Sequence, residues 1–299
     1  MPLGELTPRE TGEHTLARSR ARAALIPDLL VQAQRVANSV YSGWHGRRKR
    51  GTGENFWQFR PYVTGETQSR IDWRRSARDE FIYVQDKEWQ ATHTIWLWVD
   101  ESPSMLFRSD QATVSKQSRA LVLALAMAEL LARSGERVGL LGVTKPVLSR
   151  NAAEILAEAM MIKGPQSGLP SNPDVGKFSE LLVFSDFLDA DSSNLTVLRD
   201  LTRLGLRGHA VHIIDPVEHS FPYSGRVEFS DPETGRQIVA GNAQTLKENY
   251  KHEFIAHLES VKNSFLKMGW SLTRHHTDRL ASEALVSLHT QLGQAMKGR

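Results

Sequence analysis

Asp100, Ser102 and Ser104 place three oxygen side chains at alternate positions directly after the apolar run Thr94-Ile95-Trp96-Leu97-Trp98-Val99. A carboxylate and two hydroxyls aimed at one point can seat a hard divalent cation, since Mg²⁺, Mn²⁺ and Ca²⁺ prefer oxygen donors. The same residues also suit a capped turn leading into a helix. Chance supplies this spacing in roughly one in ten chains of such length, so its position must carry the inference. Open α/β sheets gather ligands beyond the carboxyl ends of their strands, where this triplet falls. A second apolar run, Leu181-Leu182-Val183-Phe184-Ser185, ends in Asp186. If both runs are strands of one sheet, Asp186 meets Asp100, and a bound cation relieves the repulsion between them.

The surrounding pattern supplies that sheet. From residue 92 onward, strands at 94–100, 137–143, 180–185 and 209–214 alternate with helices at 112–134, 151–162 and 193–205. Such alternation predicts an α/β fold with a mostly parallel sheet and helices on both faces, and its strands are nearly continuous apolar runs. Helix 112–134 is expected to begin right behind the Ser104 loop. Residues 216–240 read as a β-hairpin insertion, followed by a helix over 244–267, a strand over 270–274 and a helix over 281–296.

Upstream, residues 1–13 read as a loose arm and 15–41 as helix, with Pro27 breaking or restarting it. Residues 54–88 predict two or three short strands and a helical turn over 72–77. The expected organisation is an N-terminal arm and helix (1–44), a small β-rich segment (45–90) and the α/β domain (91–299).

The chain has 299 residues, 40% of them hydrophobic, enough for a sizeable core. With no cysteine it has no disulfide framework, thiolate zinc site or cysteine nucleophile. No apolar run approaches the roughly 20 residues of a membrane span, and the N-terminus lacks a signal peptide's order, so a cytoplasmic protein is expected. A net charge of +3 is too slight to argue for nucleic acid. Arg47, Arg48 and Arg50 form a basic loop, and Arg60, Arg70, Arg74 and Arg78 follow. These arginines suit an anion or partner contact; the competing readings are a solvated loop paired with nearby acids for the first group and, favoured for the second, a structural network with Asp72, Glu66, Tyr62 and Trp73.

The order of these motifs resembles two related groups. Asp100-x-Ser102-x-Ser104 followed by Asp186 resembles the metal-ion-dependent adhesion site of von Willebrand factor A domains. That site adds a threonine from a middle loop, where this chain offers Ser167 or Ser171. The stretch Gly53-Glu54-Asn55-Phe56, Arg60-Pro61-Tyr62-Val63-Thr64-Gly65-Glu66 and Arg70-Ile71-Asp72-Trp73-Arg74-Arg75-Ser76-Ala77-Arg78 resembles the signature of the bacterial DUF58 family. In that family a von Willebrand A-like domain follows, and members are typically encoded beside MoxR-type AAA+ ATPases. The resemblance implies a non-enzymatic adaptor, with Mg²⁺ (or Mn²⁺ or Ca²⁺) completed by a partner's acidic residue and a MoxR-type ATPase as partner. The competing reading is a metal-dependent phosphatase or nuclease with Asp186, Asp189 or a histidine as base. No hydrolase motif supports it, and adjacent His275 and His276 on a strand point to opposite faces.

Overall fold

The computed structural model describes residues 12–45, 58–67, 69, 71–86, 93–171, 173–176, 179–188 and 193–297. Two compact units emerge, Met1–Ser42 with His93–Arg299, and Gly43–Thr92.

In the smaller unit, β1 (Gln58–Pro61) pairs antiparallel with β2 (Tyr83–Asp86). Between them lies α2 (Trp73–Ser76), started by Asp72, whose carboxylate accepts the Arg75 N–H at 2.9 Å. The Arg75 guanidinium lies over the rings of Tyr83 (5.0 Å) and Phe59 (6.0 Å) and reaches Asp79 at 3.4 Å. At Arg75 the arginine-rich stretch thus acts as a packing network.

The larger unit is built on five strands: β3 (Thr94–Val99), β4 (Arg137–Leu140), β5 (Glu180–Ser185), β6 (Arg207–Ile214) and β9 (Ser271–His276). Their order is β4-β3-β5-β6-β9, and every neighbouring pair is parallel. Side chains alternate across the sheet as strand geometry requires. Ile95, Leu97 and Val99 join one core with α1 (Gly12–His45), α3 (Lys116–Arg133), α4 (Ala152–Lys163) and α8 (Ala281–Lys297). Trp96 and Trp98 join a second core with α5 (Ser193–Arg203) and α7 (Lys247–Lys267). Burial on both faces explains the unbroken apolar runs. One close approach fixes a residue type: a Cβ on Gly208 would lie 2.1 Å from the Trp270 ring.

Two local expectations fail. Pro27 lies inside the single helix α1 instead of ending it. Pro27 sits on the exposed face of the helix, while buried Ile26, Leu29 and Ala33 keep both halves in the core. Helix α3 begins at Lys116, not behind Ser104, because a 3-10 turn over Pro103–Leu106 and a loop intervene. Ser115 sets the start, its hydroxyl accepting the Ser118 N–H at 3.1 Å.

The insertion between β6 and α7 holds α6 (Pro216–Ser220) and an antiparallel hairpin of β7 (Val227–Ser230) and β8 (Gln237–Ala240). Among the described residues, no helix is long and apolar enough to cross a membrane.

Candidate functional site

The chain passes from β3 out to β4 and returns to β5 on the other side of β3, so the strand order reverses between β3 and β5. A crevice opens at the carboxyl ends of such a pair. Asp100 directly follows β3 and Asp186 directly follows β5, and the Asp100 N–H donates to the Phe184 carbonyl at 2.9 Å. The apolar runs on either side are what bring the two carboxylates together.

Asp100 is buried, and its two oxygens are held separately. One accepts the Ser102 N–H at 2.9 Å and the other the Ser185 hydroxyl at 2.7 Å. Among the described residues no cationic side chain pairs with it. Burial pushes its carboxyl up to about 6, against the hydrogen bonds from Ser185 and Ser102 and with a further push from the charge of Asp186. The Ser102 and Ser104 hydroxyls converge at 3.1 Å.

Asp186 differs, because it already has a counter-charge. Lys116, fully buried at the start of α3, donates to Asp186 at 2.8 Å and to Glu218 at 2.7 Å. Burial opposes the ammonium charge, but the two carboxylates outweigh it and hold the lysine pKa above its ordinary value. Glu218 itself is raised, burial exceeding the pull of Lys116. The residue after Asp186, Phe187, has a left-handed φ of +50°, uncommon for an aromatic side chain. Its ring packs edge-on against Phe265 at 4.9 Å and His212 at 5.6 Å, which holds the strained turn below Asp186.

A cavity of about 300 Å³ brings Asp100, Ser102, Ser104, Ser167 and Asp186 together. The loop bearing Ser167 is tied to the site by the Glu101 N–H, which donates to the Gln166 carbonyl at 2.8 Å. Ser171 is exposed and does not line the cavity. Arg74 and Arg78 are exposed in the smaller unit. Arg47, Arg48, Arg50, Arg70 and Asp189, with the Arg60 side chain, lie outside the described residues. His275 is buried while His276 is half-buried against His219 at 5.9 Å, on opposite faces as a strand dictates.

Three participants escaped sequence reasoning. Ser185 could have been found, since it precedes Asp186 on the same strand end. Lys116 and Glu233 carry no local signal. The Glu233 carboxylate, from the tip of the β7–β8 hairpin, accepts the Ser104 N–H at 2.9 Å.

The donor set suits a hard cation in kind: all oxygen, with Asp100 a buried carboxylate that has hydroxyl and amide partners but, among the described residues, no positive one, while Asp186 already shares the Lys116 ammonium. Among the described residues, no three His, Asp or Glu side chains gather as a metal cluster, so serine hydroxyls are needed to complete the set.

The fold and this crevice define a doubly wound α/β protein with a carboxylate–serine site at the switch point. The chain belongs to the DUF58 family, described as a protein of unknown function, whose pattern matches residues 58–260. Uncharacterized protein Rv1480 of Mycobacterium tuberculosis (strain ATCC 25618 / H37Rv) is 24% identical over 276 residues, spanning 86% of this chain and 85% of that protein. Uncharacterized protein Mb1516 of Mycobacterium bovis is similar to the same extent, 24% over 276 residues. Among solved structures, BatB from Bacteroides thetaiotaomicron is similar at 12% identity and a TM-score of 0.38, over 68% of this chain and 99% of that one. An aerotolerance-related membrane protein from Bacteroides fragilis is similar at 16% identity and a TM-score of 0.35, over the same shares, 68% and 99%.

Proposed function

We propose that this chain is a non-enzymatic, von Willebrand A-like interaction module that grips an acidic side chain of a protein partner through a divalent cation. Asp100, Ser102, Ser104, Ser167 and Asp186 are the residues that would hold the cation, Mg²⁺ foremost. When bound, the cation supplies a Lewis-acidic seat for a carboxylate. The chain's own residues do the positioning: Ser185 and the Ser102 N–H orient Asp100, and Lys116 orients Asp186.

The observation that carries this reading is Asp100 itself, a buried carboxylate raised to about 6 in the wall of a crevice, with no cationic side chain to compensate it among the described residues. A cation there removes the electrostatic cost of its ionised form. The strand order supports the fold part of the reading. Numbered along the chain the five strands run 2-1-3-4-5, a doubly wound order whose switch point lies between β3 and β5.

The family resemblance favours, as partner, a MoxR-type AAA+ ATPase met in the cytoplasm during assembly or maturation of protein complexes. The test is calorimetric titration with Mn²⁺ and capture of the purified ATPase in Mg²⁺ and in EDTA, with Asp100→Asn beside the unaltered chain. The reading expects Mn²⁺ binding and capture to be lost together in Asp100→Asn. Capture that survives both EDTA and the substitution overturns it.

A further inference from the structure

We propose that the β7–β8 hairpin is a built-in occupant of this cavity, its Glu233 standing where the partner's acidic side chain binds, so that the partner presents an acidic turn that displaces it. This rests on the adhesion-type reading above and adds to it the form of the ligand and the control of access.

The contact is specific in chemistry. Ser104 belongs to the site loop, and its N–H donates to a carboxylate 129 residues away in sequence. Asp231, Pro232, Glu233 and Thr234 line the same cavity as Asp100 and Asp186. A further carboxylate in a cavity that already holds those two is electrostatically disfavoured unless a donor is waiting, and Ser104 provides one. A position that accepts Glu233 in this setting is a carboxylate position.

The tip is preorganised and the stalk is not. Asp231 accepts the Glu233 N–H at 2.9 Å and the Thr234 hydroxyl through its carboxylate, and the Gly235 N–H through its carbonyl at 2.8 Å. Gly235 closes the turn at a φ of +70°, open to glycine without strain. These bonds fix how Glu233 projects, and a rigid ligand loses little freedom on binding. The stalk has only four residue pairs, and Ile238 and Val239 are 67% and 52% exposed. A two-stranded ribbon of that kind is marginal alone, so swinging the tip away costs little beyond the Ser104 bond. Its base stays anchored, since the Phe221 ring stacks on Phe229 and lies 4.5 Å from that of Tyr250. Glu233 also remains exposed, open to a competitor from solvent.

Removing Glu233 should raise the affinity of a competing acidic turn roughly tenfold to a hundredfold, the worth of a hydrogen bond to a charged group. The probe is a capped synthetic peptide of residues 229–237, bearing the chain's own Asp-Pro-Glu-Thr-Gly turn, added to the full chain and to Glu233→Ala. Glu233→Ala should bind it at least tenfold tighter than the unaltered chain and lose that binding when the peptide's Glu becomes Gln. Hydrogen exchange in EDTA is the second readout: the Ser104 amide should exchange at least tenfold faster in Glu233→Ala. Equal peptide binding by the two proteins, no binding by either, or unchanged Ser104 exchange overturns the proposal. Tight binding to Glu233→Ala that persists in EDTA supports the occupant and overturns the cation reading instead.

Discussion

Lys116 and Asp186 form an ion pair at 2.8 Å with side chains 1% and 4% exposed, and the same ammonium holds Glu218 at 2.7 Å. One buried cation thus serves two carboxylates from different elements, the end of β5 and helix α6. Breaking such a group from the cationic side strands both anions out of water.

Lys116→Met keeps the length of the side chain and removes its charge. Unfolding in urea should show a loss of about 3 to 5 kcal/mol. Adding Glu218→Gln should recover part of it, because only Asp186 is then left unpaired. A Lys116→Met protein within 1 kcal/mol (about a fivefold change in equilibrium) of the unaltered chain would mean that water reaches these carboxylates.

Arg22 ties the N-terminal helix to the site from the other side. Its guanidinium grips both oxygens of Glu101, the residue after Asp100, and donates to the Met160 carbonyl, while Gln117 donates to Glu101 at 2.8 Å. Arg22 and Glu101 are 6% and 3% exposed, so either one without the other is a buried charge that has lost its opposite charge. Arg22→Met and Glu101→Leu should each cost roughly 3 kcal/mol in chemical denaturation, and the double variant less than either. Additive losses would show that the two side chains do not depend on each other.

How far the sequence reaches is clear from these residues. Asp100 and Asp186 were legible because buried parallel strands leave continuous apolar runs, and a polar residue ending such a run stands at the sheet edge. The start of α3 was misjudged because Ala112 and Val114 extend the apolar pattern upstream of the capping Ser115. Pro27 misled because its local rule yields to packing on both sides. Lys116 and Glu233 were beyond reach for a different reason. A lysine's default is solvent, and only a tertiary partner 70 or 102 residues away reverses it. A hairpin glutamate likewise gains meaning only when the chain folds back onto Ser104.

His212 on β6 sets the response to acid. It is 2% exposed, edge-on to Phe187 at 5.6 Å and to His257 at 6.3 Å. Burial lowers its pKa to about 3, with help from the charges of His257, Arg274 and Lys116 and against that of Asp186. In the fold it therefore stays neutral, while in the unfolded chain it protonates near 6.5. The unfolded state binds the extra proton, so stability is fully present above about pH 6.5 and drains away as pH falls toward 3. By pH 4 this one residue should have cost roughly 3 kcal/mol. His275, lowered to about 4 by burial first and by Arg119, adds to the same limb. Asp100 runs the other way: raised to about 6, it gains stability as pH falls from 6 toward 4, and so offsets part of the loss. His212→Leu removes the largest of these shifts. Urea midpoints measured from pH 8 to pH 4 should fall less steeply in that variant, by about one proton's worth of slope between pH 6 and pH 4. Parallel slopes in the two proteins would show that His212 is protonated inside the fold, and that Asp186 stabilises it more than burial opposes it.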